Sequence, residues 1–307
     1  GSATSTGSFG MITTPSDVAG KPAARLHKFA FLRASDHGDN STSGYSSRSG
    51  NTIFGYDAGS QIVQNNGAGA ANTYIGHFAG HGNASGDENT FIGHVAGGVG
   101  GSGDNNTAVG SYAGYNLTSG DDLVLIGKSA GFNITTGNDN IAIGIQAGYL
   151  ISSGSNNTLM GYQAGYSLGG TQYNVMIGDY AGALSNTINN RHVYVGYNSG
   201  RYIDTGLANV AIGYNAMKST SATNQNASYN TAVGYVALES ITDSDYNTAI
   251  GQAAGQNIEG GSGQNVFIGN SAGVTSVTSA YNVVIGVSAG LAATDVDNTV
   301  LIGWNAG

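Results

Sequence analysis

The chain has 307 residues with 52 glycines, no cysteine and a formal net charge of −9. The missing cysteines exclude disulfide bonds and thiolate metal sites, and no apolar run is long enough for a transmembrane helix. Residues 1–50 carry five Lys/Arg against three Asp, a balance of +2, whereas residues 51–307 carry four Lys/Arg against fifteen Asp/Glu, a balance of −11. We expect no nucleic-acid partner, because phosphate contacts need clustered basic side chains, and no membrane insertion.

Residues 1–50 are predicted to be an N-terminal cap or docking segment that is partly irregular. The stretch 22–35 has a helix-friendly composition, but Phe29, Phe31 and Arg33 alternate as strand residues do, so its secondary structure stays open. We expect this apolar stretch to cover one end of the repeat array that follows, because the end of a solenoid otherwise exposes its core.

Residues 51–307 repeat one short phrase, which reads Asn-Thr-Ala-Val-Gly-Ser-Tyr-Ala-Gly at 106–114. Its first glycine, here called the marker glycine, recurs fifteen times, and ten of the fourteen spacings are 17 residues. A unit this short cannot bury its own apolar face, so neighbouring copies must stack. The sequence therefore predicts an all-β fold, a parallel β-solenoid (β-roll or β-helix) of about fifteen coils with a 17-residue period.

The three residues before each marker glycine are predicted to form a short strand. Residues one and three places before it are β-branched in most copies, which suits a buried strand face, and we expect Ile92, Ile126, Ile143 and Ile250 to point into the coil. The residue between them is apolar in every copy and must face the other way. We therefore predict that this middle column contacts other copies of the chain around a threefold axis. The predicted interface residues are Phe91, Ala108, Leu125, Ala142, Leu159, Met176, Ala211, Ala232, Ala249 and Phe267.

Three further columns mark the rest of the coil. Alanine stands three residues after the marker in fourteen copies, and glycine stands four residues after it in thirteen. Twelve copies carry asparagine four residues before the marker. Asparagines stacked one coil apart are expected to form a ladder in which each side chain bonds the next.

Phrases such as Asn-Thr-Phe-Ile-Gly at 89–93 and Asn-Thr-Ala-Ile-Gly at 247–251, each followed by Ala-Gly or a close variant, resemble two groups of repeats. One is the head repeat of trimeric autotransporter adhesins of the YadA type, and the other is the Asn-Thr-x-Ile-Gly-x-x-Ala-Gly array of phage tail fibres. The resemblance covers about five-sixths of the chain and implies a parallel β-roll and a homotrimer. The autotransporter repeat is shorter than 17 residues, which implies different corners.

The column directly after the marker glycine is rich in aromatic residues. Exposed rings in this column would form a strip suited to stacking on sugar rings or contacting a protein partner. The alternative is that the rings cover the corner or pack between chains. The candidate ligand-binding residues are Tyr56, Tyr162, Tyr197, Tyr214, Tyr235 and Trp304.

Two groups of residues are candidates for binding a metal ion. His77 and His94 occupy equivalent places in adjacent coils, which makes a two-histidine site conceivable, and Asp87, Asp104 and Asp121 recur at 17-residue spacing beside Asn and Gly. Oxygen ligands stacked in this way could hold Ca²⁺, although aspartate is also an ordinary turn residue. The sequence shows neither a nucleophile elbow nor a phosphate loop nor facing carboxylates, so we expect no cofactor and no enzyme activity.

The repeat predicts a non-enzymatic, extracellular structural fibre or adhesin shaft on a virion or a cell surface, which presents or spaces a receptor-binding end. A host-surface glycan or protein is the expected receptor. One alternative is a filament subunit that polymerises head to tail. Another is a glycan- or ice-binding solenoid, although ice binding calls for a regular threonine column, and the one before the marker alternates with Val and Ile and is interpreted as core.

Overall fold

The computed structural model describes residues 50–62, 69–185, 191–219, 226–260, 263–275, 280–291 and 297–307. These residues form fifteen strands of three residues each, joined by turns, and every strand directly precedes a marker glycine. The predicted fold class, an all-β solenoid with a period of about 17 residues, is confirmed. The strands are β1 (Thr52–Phe54), β2 (Thr73–Ile75), β3 (Thr90–Ile92), β4 (Thr107–Val109), β5 (Val124–Ile126), β6 (Ile141–Ile143), β7 (Thr158–Met160), β8 (Val175–Ile177), β9 (Val193–Val195), β10 (Val210–Ile212), β11 (Thr231–Val233), β12 (Thr248–Ile250), β13 (Val266–Ile268), β14 (Val283–Ile285) and β15 (Val300–Ile302).

All fifteen strands belong to one parallel sheet in which each strand pairs with the next along the chain. The register places equivalent residues side by side, so that Ala142 pairs with Leu125 on one side and Leu159 on the other. Every column of the repeat therefore becomes a physical row of side chains along the sheet. With neighbouring parallel strands ~4.8 Å apart, the fourteen intervals span roughly 67 Å.

Hydrogen bonds join successive coils well beyond the three-residue strands. The backbone N–H of Gly93 donates to Ile75 O at 2.8 Å, and that of Val95 donates to His77 O at 2.9 Å. Further round the coil, the Gly97 N–H donates to Ala113 O at 2.9 Å. Each coil is thus bonded to both neighbours along much of its path, which satisfies the backbone of the turns as well as that of the strands.

Two glycine columns are required by the geometry. At the marker, backbones of adjacent coils approach so closely that a Cβ on Gly110 would lie 2.5 Å from Gly127 O, and φ there is +138°. Four residues later, Gly97 has a φ of +58°, and a Cβ on it would lie 2.4 Å from the Phe91 ring. The first column permits backbone contact between coils, and the second leaves room for the side chains of the core.

The middle residue of each strand points into the solenoid, which corrects the assignment of this column to an interface between chains. A single chain already buries the ten side chains that were assigned to the interface, and all of these ten but Phe91, at 2%, have no exposed surface. They cannot form a contact surface for another copy without being pulled out of the core. The residues concerned are Phe91, Ala108, Leu125, Ala142, Leu159, Met176, Ala211, Ala232, Ala249 and Phe267.

The prediction that Ile92, Ile126, Ile143 and Ile250 point into the coil is wrong for the same reason. All four lie on the outer face; Ile126 is 38% exposed and Ile250 42% exposed, while the other two are half-buried. Side chains alternate along a strand, and the buried asparagine that precedes twelve of the fifteen strands shares the face of the middle residue. The buried asparagine therefore shows which strand side chains point inwards: the middle residue does, and the two β-branched residues beside it face outwards.

Two further columns share the interior with the middle strand residue. Alanine three residues after the marker, as at Ala113 and Ala147, is fully buried, and a Leu/Ile column seven residues after the marker is buried as well. That last column was missed in the sequence, although its 17-residue spacing is visible there. Its buried members are Leu117, Ile134, Ile151, Leu168, Ile203, Ile241 and Ile258.

The volumes of neighbouring core residues compensate one another. Met217 and Leu238 replace the second glycine in two coils, where both are fully buried, and the strands of those coils carry Ala211 and Ala232. Where the glycine is present with a small strand residue, a larger residue of the next coil fills the space, as Leu125 does beside Gly114. The interior is thus packed continuously along the rod.

The predicted cap at residues 1–50 falls almost entirely outside the described residues. Within the part of the chain that the structure describes, no helix is long and apolar enough to cross a membrane.

Candidate functional surfaces

The outward-facing strand residues form a continuous surface, here called the outer aliphatic face and defined as the first and third residues of β1–β15. The first residue is Thr, Val or Ile, and the third is Ile or Val in all but two strands, where it is Phe54 or Met160. None of the residues in the fifteen strands is charged. The face is therefore a uniform, uncharged stripe along the sheet, built from side chains that are exposed or half-buried.

The aromatic column after the marker glycine lies on the surface. Tyr56, Tyr162, Tyr197, Tyr214, Tyr235 and Trp304 are between 37% and 81% exposed, with Trp304 the most exposed. The exposure that the sequence left open is thus given by the structure, and the column is not continuous. Other residue types interrupt it, among them Ser111, Lys128 and Asp179.

Several rings in this column stack on a neighbouring ring, whereas Tyr162 makes an edge contact with Tyr180. Tyr214 lies between Tyr197 and Tyr235, with ring centroids 5.3 Å away on both sides and interplanar angles of 15° and 10°. Tyr56 stacks on His77 at 5.4 Å. Stacked rings cover each other's faces and present their edges to solvent, whereas stacking on a sugar needs an open face. This geometry does not favour sugar stacking on Tyr214, whose two faces are both covered.

A second aromatic stack was missed in the sequence. Tyr115, Phe132, Tyr149 and Tyr166 stand five residues after successive marker glycines, and their centroids lie 4.9, 4.9 and 5.1 Å apart. The interplanar angles are 18°, 15° and 2°. The signal was present as four aromatic residues at 17-residue spacing. Such a stack adds contacts between coils and stiffens the rod along its axis.

The asparagine column forms a buried ladder. The backbone N–H of Asn89 donates to Asn72 Oδ1 at 2.8 Å, and Asn89 Nδ2 donates to Gly103 O, also at 2.8 Å. Direct bonds between side chains occur as well, as from Asn157 Nδ2 to Asn140 Oδ1 at 2.9 Å. Asn89 is thus linked to the coils on both sides by side-chain hydrogen bonds, which explains how a polar residue is accommodated inside the solenoid.

His192 takes the place of asparagine in one coil. Its Nδ1 accepts from the Asn209 N–H at 3.1 Å, as the asparagine oxygen does elsewhere, so the proton is assigned to Nε2. Nε2 is buried without a hydrogen-bond partner of good geometry among the described residues, although the Gly206 backbone slightly favours its protonation. Burial lowers the pKa of His192 from 6.5 to about 3. The imidazole is therefore neutral at physiological pH, and its role is structural: it continues the hydrogen-bonded ladder.

The three aspartates considered as calcium ligands bind backbone amides. The N–H groups of Ala70, Asp87 and Asp104 donate to the Oδ1 atoms of Asp87, Asp104 and Asp121 at 2.7, 2.8 and 2.8 Å. One oxygen of each carboxylate is thus committed to the neighbouring coil, as expected for a turn residue. Among the described residues, no group of three or more His, Asp or Glu side chains is arranged to hold a metal ion.

His77 and His94 do lie close together, as their spacing predicted. Their ring centroids are 5.2 Å apart and the rings are parallel to within 3°. A shared metal ion needs ring nitrogens that converge on it in the planes of the rings, whereas these rings stack face to face. The pair extends the stack that begins at Tyr56.

A small cavity of about 10 Å³ lies beside Phe91 and Leu117, with Asn83 and Thr118 also lining it. Gly100 stands here in the column that carries Leu117 and Ile134 in the next coils, so the missing side chain accounts for the space. The volume is below the several hundred Å³ of a typical ligand pocket. The cavity is best explained as a packing gap.

Comparison with protein-family models, with curated proteins and with solved structures gives no match to this chain. Functional inference therefore depends on the surfaces and the core described above.

Proposed function

We propose that this chain is a non-enzymatic structural shaft that works outside the cell, on a virion or a cell surface, as a homo-oligomer that presents or spaces a receptor-binding end. The observation that carries the proposal is the single continuous sheet of fifteen parallel strands. A chain folded in this way is stiff along its length, because every coil is bonded to the next and the interior is filled throughout.

The polar side chains give further support, because two of the aspartates considered as calcium ligands and the buried His192 hold neighbouring coils together by hydrogen bonds. Asp104 and Asp121 accept hydrogen bonds from backbone N–H groups of the neighbouring coil, and His192 replaces an asparagine of the ladder. A shaft needs length and rigidity, and it needs neither a cleft nor a convergent acid and base. The resemblance to adhesin and tail-fibre repeats points in the same direction and suggests a homotrimer with a host-surface glycan or protein as the receptor of the assembly.

Small-angle X-ray scattering combined with electron microscopy tests the proposal. The expected result is a rigid, elongated particle whose array measures roughly 67 Å along its axis. A compact particle, or a flexible chain with no fixed long dimension, would overturn the proposal. Long filaments in the micrographs would favour head-to-tail polymerisation through the edge strands β1 and β15 in place of a discrete shaft.

Ice binding is the second candidate, and one observation favours it. The threonine column interpreted as core in the sequence lies on the outer aliphatic face, where Thr231 and Thr248 stand side by side on adjacent strands. A flat, regular array of threonine and valine is the type of surface that orders water. Freezing-point hysteresis in the native chain, lost on changing Thr231 and Thr248 to lysine, would support this function, and its absence in the native chain would exclude it.

A further inference from the structure

The outer aliphatic face is too large and too uniform to be an incidental feature of the surface. Its long dimension is roughly 67 Å, and a three-residue strand contributes about 10 Å of width. The face therefore covers roughly 670 Å² even when taken as flat. The largest apolar patch on a typical monomer is about 300–600 Å², and one side of a standard protein interface is about 800 Å².

The side chains of this face are those of a packing surface. Ile126, Ile212 and Ile250 are 38%, 39% and 42% exposed, so a substantial part of each remains available to a partner. Valine, isoleucine and threonine have restricted χ1 rotamers on a strand, and ordering them at an interface therefore costs little entropy. A flat sheet face of this kind packs against another at a separation of about 10 Å.

Charge limits which surfaces of this molecule can approach a second copy. The chain carries a net charge of −9, so most orientations of two copies bring acidic turns together. The outer aliphatic face contains no charged residue and is therefore a stripe along which two acidic rods can approach each other. A second copy also carries the same strand-to-strand repeat over the same length, so its side chains remain in step with the first along the whole face.

We infer that the outer aliphatic face binds the same face of another copy of this chain. The inference rests on the proposed function, since it supplies the lateral contact of the homo-oligomeric shaft. It relocates that contact from the buried middle strand residues to the first and third residues of the strands. The core then remains intact when the chains separate.

Light scattering after size-exclusion chromatography tests the inference with two matched pairs of substitutions. The Ile126→Lys and Ile250→Lys pair places charges on the outer aliphatic face. The Leu150→Lys and Leu291→Lys pair makes the same kind of change at residues with similar exposure, 40% and 41%, outside the strands. Circular dichroism checks that both variants keep the β fold of the native chain.

The native chain is expected at two or three times the 30.8 kDa of one chain, and the leucine variant is expected at the same mass. The isoleucine variant is expected at the mass of one chain. If lysine destabilises the fold, an Ile126→Gln and Ile250→Gln pair repeats the test without charge. A native chain at 30.8 kDa, or an isoleucine variant that keeps the native mass, overturns the inference.

Particle shape separates this inference from the proposed function. A thin rod with the mass of one chain leaves the rigid shaft intact and overturns the lateral contact together with the homo-oligomeric state. A compact particle overturns the shaft itself, whatever its mass.

Discussion

The inward and outward faces of the same strands use apolar side chains in contrasting ways. Inward, the middle column varies in size from alanine to phenylalanine, and each small residue is matched by a larger one nearby, as Gly114 and Ala108 are by Leu125. Outward, the third strand residue is almost always Ile or Val. Variation in volume thus marks the packed interior, where neighbours compensate, and uniformity marks the repeating surface.

The largest difference in stability between the two faces is expected when a charge is introduced at each of two adjacent residues, one on either face. Ala142→Asp places an unpaired carboxylate in the filled interior and should prevent folding, with a loss of more than about 4 kcal/mol. Ile143→Asp puts the same group on the outer face and should leave the chain folded. Circular dichroism and urea denaturation of the two variants measure the contrast, and equal losses would refute it.

A smaller but still clear difference is expected when side chains are shortened. Leu159 is fully buried, so Leu159→Ala should cost about 2–5 kcal/mol through lost burial and the cavity left behind. Met160 is 38% exposed, and Met160→Ala should cost less than about 1 kcal/mol. The midpoints of urea denaturation compare the two, and a larger loss for Met160→Ala would reverse the assignment of the faces.

Lowering the pH should destabilise the chain through His192, the one histidine on the inward face among the described residues. The pKa of His192 falls to about 3 on burial, from 6.5, so below pH 6.5 the unfolded chain binds a proton that the folded chain does not. Stability is lost as the pH falls from 6.5 towards 3, by about 2 kcal/mol at pH 5. His192→Asn restores the ladder residue and should remove this loss. Urea titrations at pH 7.5 and pH 5 provide the measurement, and identical acid sensitivity in both proteins would contradict it.

The smallest effect on stability is expected for substitutions in the turn that follows each strand, at residues with a positive φ. Val95 stands two residues after a marker glycine with a φ of +54°, a left-handed conformation that β-branched residues resist. Val95→Asn should raise stability by about 0.5–1 kcal/mol, and Ser288→Val, at a φ of +55°, should lower it by a similar amount. Thermal denaturation tests both, and a stabilising effect of Ser288→Val would count against this origin of the strain.

Much of the fold could be predicted from the sequence because each coil repeats its local chemistry. The 17-residue spacing gave the stacking, and the residues before each marker glycine gave the strands. The Asn, Ala and Gly columns also occupy the places that their chemistry suggested. These inferences need only the sequence of one repeat and the rule that equivalent residues of successive coils lie side by side.

The orientation of the strands could not be obtained from hydropathy, because both faces are apolar. Ile126 and Leu125 are equally suited to a core. By hydrophobicity alone, the two β-branched columns are a better candidate for the buried face than one column that contains many alanines. The deciding information lay outside the strand. Asn140 shares a face with Ala142 by alternation, and Ile151 supplies the opposite wall of the interior. Reading those columns together would have indicated the correct face.

The candidate surfaces were predicted less well, because exposure and ring geometry depend on three-dimensional neighbours. The aromatic column was recognised from its spacing, but its exposure stayed open in the sequence. The stacking of Tyr214 between its neighbours depends on side-chain rotamers, which the spacing does not specify. The pairing of His77 with His94 was predictable, whereas their face-to-face arrangement was not.

The most direct test of strand orientation uses the absence of cysteine from the chain. Val283 and Val284 are adjacent in β14, and only Val284 points into the core, with 3% of its surface exposed. Val283→Cys and Val284→Cys are therefore the same chemical change on opposite faces. Both are made in the Ile126→Lys and Ile250→Lys background, where the outer face is expected to be free of a partner. Under native conditions, the Val283→Cys thiol should react readily with a small thiol reagent, and the Val284→Cys thiol should react only after unfolding. Faster labelling of the Val284→Cys protein would contradict the account.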